Sequence, residues 1–224
     1  MHRRNDGGGG NEADLLSVPL TSTETMAIRH AFLCATGFLV LLPLGVLFAR
    51  YSRTFTSRWF WGHAAIQAVV SGPVIIAGWT MGHSLANELS VDFRQDPHGQ
   101  IGIALLTMYV AQLLLGTVIH FAKMHGLFRG HRPPQNYLHV ALGLGILALA
   151  AYQVHYGFTI IWPLAAGDVH RVPNSARHAW LALIIVFWIL YFLGLAFVPR
   201  QLSQEKEGRQ QMQAARKTED PVNA

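Results

Sequence analysis

IRHAFLCATGFLVLLPLGVLFAR, residues 28–50, decides the fold. From Ala31 to Ala49 no charged side chain interrupts it, and about twenty apolar residues are what a helix needs to cross the ~30 Å hydrocarbon layer of a bilayer. Pro43 and Gly45 would break a soluble helix, but both are tolerated in lipid. Four more segments share this character, 59–82, 99–122, 137–161 and 178–198. Asp96 and Pro97 supply a cap and a first helical residue for the third, and Trp59, Phe60 and Trp61 anchor the start of the second in the interface.

Composition agrees. Of 224 residues 51% are hydrophobic and only 13% charged, against about 25% charged in soluble domains. The reading is an all-α integral membrane protein of five transmembrane helices, the first four forming a bundle. Residues 1–27, with their Gly7 to Gly10 run, read as a disordered tail without the apolar surface that would offset ordering. Residues 28–198 form the membrane domain and 199–224 a polar tail, solvated and partly helical or disordered. The single cysteine, Cys34, excludes an intrachain disulfide and a Cys-based metal cluster. The net charge of +5 gathers at span ends and in the tail rather than on an aromatic-interleaved face, which argues against nucleic acid.

Let side A be the face that holds the N-terminus. Side B then receives the first and third connections and, after an odd number of spans, the C-terminal tail. Side A carries six basic and eight acidic residues, and side B carries eleven of the 17 basic residues and four acids. The positive-inside rule makes side B cytoplasmic and the N-terminus non-cytoplasmic, leaving plasma membrane and endomembrane unresolved.

Four of the twelve histidines stand one near the start of each of the first four spans: His30, His63, His98 and His139. Consecutive spans run in opposite directions, so His30 and His98 lie near side A and His63 and His139 near side B. Helices one and three, and two and four, face each other diagonally across a four-helix bundle and leave room for a planar ligand. Two neutral imidazoles at one depth suit a six-coordinate haem iron, with both axial positions filled for electron transfer. No Asp or Glu lies inside any span, so the carboxylates of zinc or di-iron centres are missing. The constellation predicts two b haems, His30/His98 and His63/His139. A single such histidine would read more readily as an interfacial residue than as a ligand; the alternation of four carries the inference.

These residues resemble the cytochrome b-561 and ferric reductase transmembrane family, in the form elsewhere preceded by a DOMON domain. The resemblance covers about residues 28–198. It rests on Arg29-His30-Ala31-Phe32, Leu42-Pro43-Leu44-Gly45-Val46, Ala49-Arg50-Tyr51, Gly62-His63-Ala64-Ala65-Ile66-Gln67, His98-Gly99-Gln100-Ile101-Gly102 and Leu138-His139-Val140-Ala141-Leu142-Gly143. It implies an oxidoreductase that carries electrons across the lipid bilayer through haem iron. The donor is cytoplasmic, with ascorbate the family's example; the acceptor is a ferric chelate, monodehydroascorbate or a redox partner. The same four histidines match the family's haem ligands. The chain departs from relatives in having five spans where many have six, and in carrying a Gly-rich leader where the DOMON module would stand. A homodimer is compatible with this reading.

Secondary candidates follow from helical angle and position. His120, 22 residues after His98, lies about 40° around the same helix and is expected near the edge of the side B haem. Arg58, Arg132, Asn136 and Tyr137 are the side B candidates for propionates or an anionic donor. Arg29, Arg94 and Gln100 are their side A counterparts. The positive-inside bias explains the same arginines without any ligand. His83 and His155 turn away from the face of their own haem histidine, and His170 and His178 lie in or beside the side A loop. The competing functions are a histidine-based proton-coupled transporter, which lacks the expected intramembrane Asp or Glu, and a non-redox helical membrane protein.

Overall fold

The computed structural model describes residues 18–92, 94–122, 133–167 and 169–219; Arg132 lies outside them. Among the described residues every regular element is helical. Four long helices, α1 Ser22–Ser52, α2 Trp59–Glu88, α3 Pro97–Phe121 and α4 Pro134–Ala166, precede a fifth apolar run, Asn174–Gly208. That run is α5 (Asn174–Gly194), a short 3-10 turn (Leu195–Phe197) and the start of α6 (Val198–Glu219). All five are long and apolar enough to cross a membrane.

Helix starts follow local chemistry. Thr21 and Glu24 form a reciprocal capping box, Thr21 Oγ1 accepting from the Glu24 amide at 3.1 Å and Glu24 accepting from the Thr21 amide at 2.8 Å. This box starts α1 at Ser22, which moves the expected boundary at residue 28 toward the N-terminus; the first turn is polar, so hydropathy alone does not register it. Asp96 caps α3 by accepting from the Gly99 amide at 2.9 Å, with Pro97 behind it. α4 ends at Gly167, whose φ of 61° lies where a side chain is disfavoured.

Three of the four bundle helices contain a widened π turn: Thr36–Leu41 in α1, Ala65–Val70 in α2 and Gly157–Ile161 in α4. Each is followed within three residues by a proline, Pro43, Pro73 and Pro163 respectively. A proline inside a helix lacks an N–H and clashes with the carbonyl four residues back, and one wider turn relieves that clash. α3 has no internal proline after Pro97 and stays α-helical throughout.

α1 packs chiefly on α2, and α3 on α4; α2 also meets α3, and α1 meets α4, so the four helices form a ring in chain order. The diagonals are therefore α1/α3 and α2/α4. Phe38, Leu42, Ile75, Leu105, Tyr109 and Ile146 fill the centre. Gly37 lets α1 and α2 close up, since a Cβ there would lie 2.6 Å from Ile75. α5 lies outside the ring against α1 and α4, tied by Arg50 Nη2 donating to the Tyr191 hydroxyl at 2.7 Å and Tyr51 donating to the Leu190 carbonyl at 2.6 Å.

The described part of the C-terminal tail is a helix docked on the first connection, more ordered than its polar composition implies. Gln201, which is buried, donates to the Arg50 carbonyl at 3.0 Å, Gln204 donates to the Thr54 carbonyl at 3.3 Å, and Glu205 pairs with Arg53. Gln201 thereby satisfies a carbonyl that the end of α1 leaves open. Polar docking of this kind leaves no trace in an apolar pattern.

Candidate functional site

α1 and α3 start on side A, while α2 and α4 start on side B, so the four histidines are sorted by depth. Across the first diagonal the rings of His30 and His98 lie with centroids 6.1 Å apart and planes at 72°. Across the second, His63 and His139 are 6.4 Å apart at 74°. Gln112 of α3 reaches the His139 carbonyl, so the two sites are about fourteen residues apart along α3, or about 21 Å.

The imidazoles of α1 and α2 are held by each other's helix. His30 Nδ1–H donates to the Gly78 carbonyl at 2.7 Å, and His63 Nδ1–H donates to the Gly45 carbonyl at 2.9 Å. A carbonyl only accepts, so both rings carry the proton on Nδ1 and leave the Nε2 lone pair free. Glycine makes the approach close: a Cβ on Gly78 would sit 2.8 Å from Cys34 Sγ, and one on Gly82 would sit 2.5 Å from His30 Cε1. On the other diagonal partners, Gly116 packs on His139 and Gly157 on His98, with built Cβ distances to Cε1 of 3.0 and 3.6 Å.

Haem is the group these residues must be tested against. Two imidazoles sharing one metal ion at about 2 Å per nitrogen have ring centres about 6 Å apart, which both pairs match. Among the described residues no group of three or more His, Cys, Asp or Glu gathers. Two imidazoles alone suit a metal that brings its other ligands with it, as porphyrin iron does. The donor set fits.

The other expected residues disperse. His120 stacks on Phe60 at 3.4 Å and 3°, beside Trp61 and Phe121, in an aromatic cluster one turn before His63. Arg29 and Arg58 are exposed, Gln100 bonds back to the Arg94 carbonyl at 2.8 Å, and Asn136 is half-buried at the first turn of α4. His83 stacks on Trp79 and His155 tilts against Trp180. Sequence reasoning missed the Gly78 and Gly45 carbonyls, and Gln112 and Gln153. A signal was present: each glycine lies fifteen residues after the histidine on its own helix, and each glutamine fourteen.

On side A an open cavity of about 570 Å³ lies at the α4–α5 connection, lined by Phe158, Trp162, His170, Arg171, Asn174 and Arg177 among others. His170 Nδ1–H donates to Glu24 at 2.7 Å and Nε2–H to the Val18 carbonyl at 3.0 Å, which ties this wall to the start of α1. The Glu24 carboxylate, then the Val18 carbonyl, raise the His170 pKa above its ordinary value.

The chain is similar in sequence to known proteins. Three similar proteins are cytochrome b561 and DOMON domain-containing proteins of Arabidopsis thaliana. One is 32% identical over 158 residues, 70% of this chain and 35% of its own length. The others are 28% identical over 172 residues (75% and 39%) and 26% identical over 190 residues (80% and 39%). The chain thus spans less than two-fifths of the length of these curated relatives. No solved structure matches it. The sequence model described as eukaryotic cytochrome b561 matches residues 29–163, and the chain belongs to that family, a helical membrane bundle with b-type haem.

Proposed function

We propose that this chain carries electrons across a membrane through two b haems, His30 and His98 holding one and His63 and His139 the other. The observation that carries the reading is the meeting of four imidazoles, two by two, across the two diagonals and at two depths. Each haem, when bound, supplies a one-electron iron couple. The chain's own residues do the rest. Gly78 and Gly45 hold the Nδ1 protons of His30 and His63, which fixes the tautomer and presents Nε2 as the ligand atom. Ile75, Leu105, Tyr109 and Ile146 keep water out of the interval between the sites.

Side B, with its excess of basic residues, is the cytoplasmic face in this reading and receives the donor, for which ascorbate is the class the family offers. On side A the cavity at the α4–α5 connection takes an anionic acceptor such as a ferric chelate; Arg171 and Arg177 supply charge, and Phe158 is the neighbour of Gly157, which packs on His98.

The test is haem content and the reduced-minus-oxidised visible spectrum of the purified chain. Wild type should hold about two haems, while His98→Ala and His139→Ala should each hold about one. Full haem content in either variant would reject the pairing.

A further inference from the structure

Among the described residues five buried side-chain polar atoms lack a hydrogen-bond partner: Oε1 of Gln67 stands alone, and the other four fall in two pairs, Nδ1 of His98 with Oε1 of Gln153 and Nδ1 of His139 with Oε1 of Gln112. Each glutamine is already bonded to the histidine in question, since Gln153 Nε2–H donates to the His98 carbonyl and Gln112 Nε2–H to the His139 carbonyl, both at 2.6 Å. The unmet needs are complementary. An imidazole that reserves Nε2 for a metal carries its proton on Nδ1 and needs an acceptor there, and an amide oxygen can only accept.

The arrangement occurs twice because the spacing does. Gln112 and Gly116 follow His98 by fourteen and eighteen residues on α3; Gln153 and Gly157 follow His139 by the same intervals on α4. The helices are antiparallel, so each Gln–Gly pair meets the histidine of the other. Gly116 lets α3 approach the Cε1 edge of His139, where a built Cβ would lie 3.0 Å from Cε1 and 3.6 Å from Nδ1. His30 and His63 show the finished form of such a site, each with its Nδ1–H on a carbonyl.

We propose that Gln153 and Gln112 are the Nδ1 partners of His98 and His139, each amide spanning its histidine with Nε2 on the main-chain carbonyl and Oε1 on Nδ1–H, directly or through one water. They are positioning residues, and the inference rests on the haem reading given above. Each haem then has one imidazole held by a main-chain carbonyl, which a side-chain substitution cannot remove, and one held by a replaceable side chain. A shared Nδ1 proton makes the imidazole a more basic ligand and favours the oxidised iron, so the glutamine adjusts the potential of its own haem independently of the other.

The experiment uses the full haem-loaded chain in detergent, with Gln153→Met and Gln112→Met, which keep side-chain length and remove the amide. At a fixed poise the reduced-to-oxidised ratio should rise about fivefold, the worth of one hydrogen bond, in the side A haem for Gln153→Met and in the side B haem for Gln112→Met. Pulsed EPR of the remote imidazole nitrogen should report a lost Nδ1 hydrogen bond in the same haem only. Two retained haems with unmoved ratio and nitrogen coupling would overturn the proposal and leave the glutamines as carbonyl clamps. If a methionine variant sheds its haem, Gln→Glu at that position decides. Haem retained with a bound Nδ1 supports the proposal; haem lost there too overturns it. A wild-type chain lacking two haems would instead defeat the electron-transfer reading.

Discussion

At the residue scale the site is defined by how much room each glycine leaves. A methyl added at Gly82 would lie 2.5 Å from His30 Cε1 and 2.6 Å from Nδ1, one at Gly116 3.0 Å from His139 Cε1, and one at Gly157 3.6 Å from His98 Cε1. The last is ordinary contact, while the first forces a ring away from its Gly78 acceptor. Haem titration of purified variants should therefore grade them. Gly82→Ala loses most of the side A haem, Gly116→Ala weakens the side B haem, and Gly157→Ala leaves both. Equal behaviour of all three would contradict a ring position set by these contacts. The histidines themselves were legible in the sequence because position along a span fixes depth. The Gly78 and Gly45 carbonyls left only a spacing, each glycine fifteen residues after the histidine on its own helix, because a carbonyl carries no residue-type signature.

At the element scale, helices that cross the membrane are extended or modified by polar interactions hydropathy does not see. The capping box lengthens α1, prolines widen three helices, and α6 docks through glutamines. Gln201 is the centre of that docking, donating to the Arg50 carbonyl and at 3.3 Å to the Thr54 hydroxyl while itself only 7% exposed. Replacing it by leucine leaves a buried acceptor open, a cost of about 1–3 kcal/mol. Gln201→Leu should accordingly free α6 from the first connection, so that trypsin cuts at Arg200 and Lys206 faster than in wild type while haem content is unchanged. Equal cleavage rates would mean that Gln201 does not hold the helix. The tail was read as partly helical, but the docking of α6 was absent from the sequence reading for a physical reason: a helix polar on all sides has no moment from which a docked face can be read.

At the scale of the whole molecule, one contact joins the beginning of the first span to the last side A connection. His170 has acceptors at both nitrogens, Glu24 at 2.7 Å and the Val18 carbonyl at 3.0 Å, an arrangement that only the doubly protonated ring satisfies fully. Its folded pKa is raised above the unfolded value, so the tie contributes fully below about pH 6.5 and is lost as pH rises through the folded pKa. Spin labels at Leu20 and Val169 should give a narrow distance distribution at pH 6 and a broader one at pH 9, with His170→Gln broad at both. A wild-type distribution that ignores pH would show that the tie does not depend on the charge of His170.

The sequence by itself determined five apolar helices, their alternating directions and, through the position of one histidine near the start of each of four spans, two pairs at two depths. These are properties of single segments: transfer of a stretch of side chains into lipid depends on its composition and length, and antiparallel order follows from short connections. The tertiary structure alone decided which carbonyl meets which imidazole, which glutamine reaches across to which histidine, that His120 stacks on Phe60, and that the tail lies along the first connection. Those facts depend on the axial stagger and rotation of one helix against another. That stagger is set by close approaches such as Gly37 on Ile75 and Gly78 on Cys34, and it exists only once both surfaces are packed.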